Sequence, residues 1–373
     1  METMRAFVKT VAAEAAWRSG ASRLIGALAA AGEPLVLGYH RVVEDCGPRS
    51  DSAPAMFVSA RTLERQLEWV GRRFQFVSLD ELGECLESGA RPSRPLAAVT
   101  FDDGYRDVYD NAFPLLQRMG IPAAVFLVSD LVGTARLPLH DRLYLVMARA
   151  LALPAATRAQ LGSLLRRLGL RVPVLESPEC RPSRDTATAQ QALLEQVPPA
   201  GLEQLIRAVT QVIGSVEAEC SDGQMLDWEM VRAMHEAGFT IGSHTCSHAL
   251  LTLEDRGCLR HELAASRERL EAKLGAPVRH FAYPDGRFDR AVVDEVAGAG
   301  YGFAYTTCRH RDPGRPLLTI PRRLLWENSC RDVAGHFSPA ILQCQVEGLF
   351  DAASGCSQEH DRRPAARRQG MPA

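Results

Sequence analysis

Two adjacent carboxylates, Asp102 and Asp103, and two histidines four apart, His244 and His248, are the residues of this chain best suited to chemistry. One carboxylate and two imidazoles are a donor set for a divalent transition metal. Three protein ligands leave coordination positions open for water or substrate, as a catalytic centre requires. On a helix or a tight turn, the His-x-x-x-His spacing sets both rings on one side, able to share one ion. An isolated Asp-Asp-Gly is more often a turn that caps the next helix, and an isolated His-x-x-x-His is about as often a pair of surface rings. It is their coincidence, each at the end of a strand, that favours a site.

The elements that must position these residues follow from apolar patterning. Ala97-Ala-Val-Thr-Phe101 reads as a buried strand that stops at Asp102 and Asp103, with Gly104 turning the backbone. Phe239-Thr-Ile-Gly-Ser-His244 is a second strand running into the histidines. Leu35-Val-Leu-Gly-Tyr-His40, Ala123–Val128, His280-Phe-Ala-Tyr-Pro284 and Gly302–Thr306 read as further strands. Amphipathic helices alternate with them: Leu63, Leu67, Val70 and Phe74 mark one, Asp107–Met119 another, and Leu259, Leu263, Leu270 and Leu274 a third. Strand–helix–strand succession implies parallel strands joined by right-handed crossovers, and such folds carry chemistry at the C-terminal ends of the strands.

Residues 135–222 depart from this alternation. They are rich in Leu, Ala and Arg, with helical runs at Asp141–Ala152, Ala156–Leu168 and Gly201–Ile213 and no clear period over Val172–Ala187. They read as a helical insertion, either a lid or substrate-recognition element or an annex that only buries surface. Residues 1–34 read as a leading amphipathic helix, because charged residues interrupt any signal-peptide core. Residues 326–353 form a C-terminal helical segment, and the Arg-rich 354–373 a disordered tail.

Composition narrows the function classes. With 373 residues, 46% hydrophobic, 24% charged and a formal net charge of -2, the chain is an ordinary globular protein without a nucleic-acid surface. No segment approaches the roughly 18 apolar residues of a membrane span. The ten cysteines are scattered, with no Cys-x-x-Cys pair, so neither a zinc ribbon nor a disulfide framework is expected. A reducing, cytoplasmic setting fits best, with peripheral membrane association or export left open. Cys246, between the motif histidines, reads as a small neutral filler.

Three segments taken together, Thr100-Phe-Asp-Asp-Gly-Tyr105, Ser243-His-Thr-Cys-Ser-His248 and Phe281-Ala-Tyr-Pro-Asp-Gly286, resemble the leading motifs of the polysaccharide deacetylase (NodB-homology, carbohydrate esterase family 4) group, in order and in strand context. The resemblance implies an α/β fold, a distorted (β/α) barrel over 35–325, and one divalent metal, Zn²⁺ foremost with Co²⁺ or Ni²⁺ compatible. It implies that Asp103, His244 and His248 bind the metal, that Asp102 is the general base, and that backbone N–H near Tyr283 stabilises the oxyanion, with Tyr283, Pro284 and Tyr105 beside the substrate. The physics agrees: an amide carbonyl is a poor electrophile and needs a Lewis acid, a carboxylate must take the proton of the attacking water, and the amine leaves only when protonated.

The sequence departs from the commoner pattern twice. No late Leu-x-His strand supplies an acid histidine. Instead Gly38-Tyr-His-Arg-Val42 ends the first strand in His40, similar to the circularly permuted poly-N-acetylglucosamine deacetylases, and His40 is the expected general acid. No Arg precedes Pro284 to orient the base. Arg322 or Arg323, after Pro321, or Arg106 could replace it, although in a chain this rich in Arg a chance placement is the commoner outcome. The expected function is N-deacetylation of an N-acetylated glycan or glycolipid precursor. The alternatives are a deformylase or O-deacylase of another glycan, or a non-catalytic sugar-binding protein on the same fold.

Overall fold

The structure is a computed structural model that describes residues 2–20, 34–45 and 57–350, apart from 168, 178, 198 and 215–224. Helix α1 (Glu2–Arg18) buries Ala13 against Ala340, Ile341 and Cys344 and leaves Phe7, Val8 and Val11 exposed. The expected leading helix therefore ends at Arg18 within the described residues. The rest of that segment, 21–33, and the tail from 354 lie outside them.

The barrel begins with β1 (Leu35–Tyr39), whose five residues are all buried, and a small side pair, β2 (Arg41–Val43) with β3 (Phe57–Ser59). Helix α2 (Ala60–Gly71) starts at Ser59, whose hydroxyl accepts the Thr62 N–H, and buries Leu63, Leu67 and Val70. After β4 (Gln75–Phe76), α3 (Leu79–Ser88) opens on a Ser78–Glu81 capping box and closes on left-handed Gly89. Then come β5 (Leu96–Phe101), α4 (Phe113–Met119) and β6 (Ala123–Leu127).

The insertion follows β6 as four helices: α5 (Leu139–Leu151), α6 (Ala155–Arg167), α7 (Pro182–Gln196) and α8 (Pro199–Ile213). Three match the expected runs. The stretch without a clear period is corrected, since α7 starts at Pro182, inside it. The insertion has its own apolar core, with Leu143, Val146, Met147 and Ala150 of α5 meeting Leu161, Leu193, Leu205 and Val209. The barrel resumes with α9 (Trp228–Glu236), β7 (Thr240–Ser243), α10 (Arg256–Leu274), β8 (His280–Ala282), α11 (Arg290–Gly298) and β9 (Phe303–Thr306). Helix α12 (Pro339–Val346) packs against α1 and gives the expected C-terminal segment its helix.

Two very short strands, β10 (Ile320–Pro321) and β11 (Arg323–Leu324), close the barrel. The order is β10-β9-β8-β7-β6-β5-β1-β11, with every neighbouring pair parallel and β4 beside β5. Ile320 and Pro321 pair with Tyr305 and Thr306 at one edge, while Arg323 and Leu324 pair with Leu37 and Gly38 at the other. One five-residue stretch therefore joins both edges, with Arg322 at the seam. Sequence patterning had ended the alternation at β9; this closing stretch adds to it. Alternate strand residues join different clusters, as a sheet covered on both faces requires. Leu35, Leu37 and Val99 pack with α2 residues, while Val36, Ala98, Ala124, Phe126 and Ile320 pack with Leu79 and Leu82 of α3.

Candidate metal and catalytic site

The site lies at the C-terminal ends of β1, β5, β7 and β8. Asp102 follows β5 directly, its N–H donating to the Tyr39 carbonyl at 2.9 Å. The chain then turns through Asp103 at φ 71° and Gly104 at φ 81°. A Cβ on Gly104 would stand 2.8 Å from Leu127 Cδ2, so close approach as well as backbone conformation demands glycine there. Among the described residues the non-glycine positions at positive φ are Asp103, Thr245, His248 and Asp285. All four fall in the three motif segments. Left-handed backbone is costly for side-chain-bearing residues and persists where the surroundings over-determine it, typically at functional sites.

The histidine turn is neither helical nor loose. The His244 N–H extends the β6–β7 ladder to the Leu127 carbonyl, and the His248 N–H is taken by Thr245 Oγ1. The buried Glu262 of α10 accepts the Cys246 N–H at 2.8 Å, the Ser247 N–H at 3.0 Å and the Ser247 hydroxyl at 2.7 Å. One carboxylate thus ties down the loop between the two rings. Cys246 is buried, and burial followed by the Glu262 charge pushes its thiol up to about 11. It is a neutral filler, as expected.

Asp103, His244 and His248 offer donor atoms that all lie within 4.8 Å of one another. Asp103 Oδ1 is 3.5 Å from His244 Nε2 and 3.3 Å from His248 Nε2. His244 donates Nδ1–H to the Ala282 carbonyl at 2.8 Å, which leaves the Nε2 lone pair facing Asp103. Both Asp103 carboxylate oxygens are buried and have no hydrogen-bond partner. A buried, orphaned carboxylate facing two imidazole nitrogens suits a divalent cation. Without one, burial pushes the Asp103 carboxyl up to about 7 and the His244 ring down to about 3, and also lowers His248.

Asp102 has a different environment. Arg322 reaches it from the barrel seam with two hydrogen bonds of 2.7 Å, Nη1 to Oδ1 and Nη2 to Oδ2, and both side chains are fully buried. Arg322 Nη1 also donates to Thr100 Oγ1 at 3.1 Å. Burial would raise the Asp102 carboxyl, but the charge and hydrogen bonds of Arg322, joined by the His244 and His40 rings, together outweigh it and hold it well below the usual carboxylate range. Of the three candidate orienters, Arg322 touches Asp102, whereas Arg106 pairs with Asp110 in solvent and Arg323 lies in β11. His40 Nε2 stands 3.9 Å from Asp102 Oδ2, and burial, with further contributions from Arg322 and the other rings, lowers its pKa to about 4.

One expectation narrows. The Tyr283 N–H donates to the Tyr305 carbonyl at 3.0 Å, because the β8–β9 ladder runs one residue further than the strand. The Tyr283 hydroxyl donates to the Leu318 carbonyl. Tyr283 therefore packs beside the site without an N–H to offer an oxyanion, and buried Pro284 carries none. Tyr105 lines the cavity, and its hydroxyl donates to Asp141 Oδ2 at 2.6 Å and lies 3.2 Å from His140 Nε2.

Sequence reading did not single out His140 and Asp141, which sit in the first turn of α5 and bring the insertion onto the site. His140 Nε2 is 3.8 Å from Asp103 Oδ2, and its ring lies 4.7 Å from that of His248. The insertion also walls the cavity above the site, about 280 Å³, with Gln190, Leu194, Val197 and Leu202, opposite Phe57, Leu250 and the catalytic cluster. The insertion thus contributes part of the cavity wall.

Comparison with known proteins agrees with this architecture. A family model described as polysaccharide deacetylase matches residues 89–159 and 194–304. The poly-beta-1,6-N-acetyl-D-glucosamine N-deacetylase of Staphylococcus epidermidis is 31% identical over 110 residues, 27% of this chain and 37% of the relative. The Escherichia coli K12 protein of the same name is 30% identical over 103 residues, 27% of this chain and 14% of the relative. The chain thus spans well under half the length of these curated relatives. The Streptococcus pyogenes deacetylase PplD, solved in complex with acetate, shares the fold with a TM-score of 0.51 at 16% identity, covering 81% of this chain and 96% of that one. The matched stretches hold all three motif segments, the barrel gathers them at one mouth, and the chain belongs to the polysaccharide deacetylase family.

Proposed function

We propose that this protein is a metal-dependent hydrolase that removes N-acetyl groups from an N-acetylated glycan, with Asp103, His244 and His248 as ligands of one divalent ion. The observation that carries the reading is the division between two adjacent carboxylates: Asp103 is orphaned against two imidazoles, while Asp102 is locked ionised by Arg322. When bound, the metal would supply Lewis acidity to the amide carbonyl and to water. Zn²⁺ suits the donor set best, and Co²⁺ or Ni²⁺ is compatible.

The residues then divide the proton work. Asp102, ionised at neutral pH, receives the proton of the attacking water. His40, neutral for the same reason that it is buried, takes that proton and delivers it to the departing nitrogen, which otherwise would leave as a poor amide anion. A carboxyl held strongly acidic gives up a proton readily, so the pair works as a relay with the proton ending on the amine. The relatives' names point to poly-N-acetylglucosamine as the substrate type. No described helix is long and apolar enough to cross a membrane.

The direct test is acetate release from oligo- and poly-N-acetylglucosamine by Zn²⁺-loaded protein, with chelator-stripped protein as control. Formate from N-formyl sugars, or acetate from O-acetyl esters only, would replace this reading with a deformylase or O-deacylase. Metal binding with no turnover on any of these would leave a sugar-binding protein.

A further inference from the structure

We propose that His140, carried by the insertion, is the positioning donor for the outer oxygen of the metal-binding carboxylate Asp103; this rests on the metal-site reading above. Asp103 Oδ1 faces His244 and His248, whereas Oδ2 faces His140 Nε2 at 3.8 Å. Both oxygens are buried without a partner. A metal satisfies Oδ1, and the other oxygen of a ligating carboxylate normally accepts a hydrogen bond that fixes its orientation.

The surrounding hydrogen bonds fix which nitrogen of His140 carries the proton. The Tyr105 hydroxyl gives its hydrogen to Asp141 Oδ2 at 2.6 Å. The 3.2 Å contact between that hydroxyl and His140 Nε2 then has a hydrogen only if the ring supplies it. Nε2 is therefore the donor, Nδ1 holds the lone pair, and the Nε2–H stands between the Tyr105 oxygen and Asp103 Oδ2. At 3.8 Å the second contact falls short of a hydrogen bond. A shift of less than 1 Å, as the carboxylate turns onto a metal, closes it, and such contacts are commonly long before a site is loaded. Asp141, Tyr105 and His140 thus form a clamp between insertion and barrel that ends on a metal ligand.

The test is metal affinity, measured without substrate by titrating Zn²⁺ or Co²⁺ into chelator-stripped full-length protein against a competing chelator. His140→Leu removes the donor and is expected to weaken binding about 10- to 100-fold, the usual effect of losing a partner of a metal ligand. His140→Gln places an N–H near the position of Nε2 and is expected to bind close to wild type. The Co²⁺ absorption bands are expected at the same wavelengths in all three proteins. Equal affinities for the Leu and Gln variants, whether both intact or both weakened, would overturn the assignment. So would band shifts in the Gln variant, which would make the imidazole itself a ligand. A wild-type protein that takes up neither ion would instead sink the metal-site reading, and absence of acetate release alone would leave this inference standing.

Discussion

Arg322 and Asp102, 220 residues apart, meet through two parallel 2.7 Å hydrogen bonds in a fully buried pair at the seam where the barrel closes. The same five-residue stretch that joins β9 to β1 thus also fixes the charge state of the expected base. Closure of the fold and the charge state of Asp102 meet in one short stretch of chain.

Replacing Arg322 with Leu strands a buried carboxylate. The expected cost is about 3–5 kcal/mol of stability, seen as a lower urea midpoint. Arg322→Lys keeps a charge but loses the fork. Its activity is expected to fall with the acid limb of the pH–rate profile moving to higher pH, because Asp102 loses part of what holds it ionised. An unmoved acid limb would separate Asp102 from the rate.

The two carboxylates are expected to fail differently. Asp103→Ala should lose metal and activity together, by metal analysis and acetate release. Asp102→Asn should retain much of its metal while turnover drops by about 10²- to 10⁴-fold, the range for one general acid–base group. Loss of metal in both variants would mean that both carboxylates serve the ion.

His40→Ala is expected to keep its metal and lose about 10²- to 10⁴-fold in turnover. Full activity in this variant would move the proton to another donor.

Metal-free protein has a pH signature with a defined sign. The folded state holds His40 at about 4 and His244 at about 3, and lowers His248, against roughly 6.5 in an unfolded chain. On acidification below about 6.5 the unfolded chain takes up protons that these rings refuse, so stability present above that pH is lost towards pH 4 and 3. Asp103 acts oppositely: held up to about 7 against roughly 3.9 in an unfolded chain, it stabilises the metal-free fold at low pH, and that contribution is lost as pH rises from about 4 to 7, with no further change above. Urea midpoints of stripped protein should fall on acidification below about 6.5, and Asp103→Asn should steepen that fall between about 7 and about 4, where the Asp103 carboxyl otherwise opposes it.

Much of this was legible from sequence because the informative strands are fully buried and end in chemistry. Leu96–Phe101 is apolar throughout except Thr100, stops at Asp102, and turns on Gly104. The alternating helices carry caps and left-handed glycines where patterning puts them. Arg322 was only one of several candidates because its flanking strands, Ile320–Pro321 and Arg323–Leu324, are two residues each, too short for any period to register. His140 and Asp141 were missed for another reason. Their helix starts at Leu139, two residues before its apolar run suggests, and their partners, Tyr105 and Asp103, are 35 or more residues away. Helix α7 is dominated by polar residues, Thr and Gln among them, with few apolar ones between, so no stripe announced it. Glu262 looked like any surface acid on a long helix, and only the fold turns it inward onto the histidine turn.

Among the described residues, the apolar core of the insertion consists of its own side chains, from Leu143 through Val209, and shares none with the barrel clusters. Stability of the barrel and the shape of the wall facing the substrate are therefore separable traits. Exchanging side chains such as Leu194, Val197 and Leu202 is expected to reshape the cavity wall while leaving the barrel clusters intact. In a lineage of such proteins, substrate preference would be free to drift at the insertion, with its anchor at His140 and Asp141 as the part that has to stay.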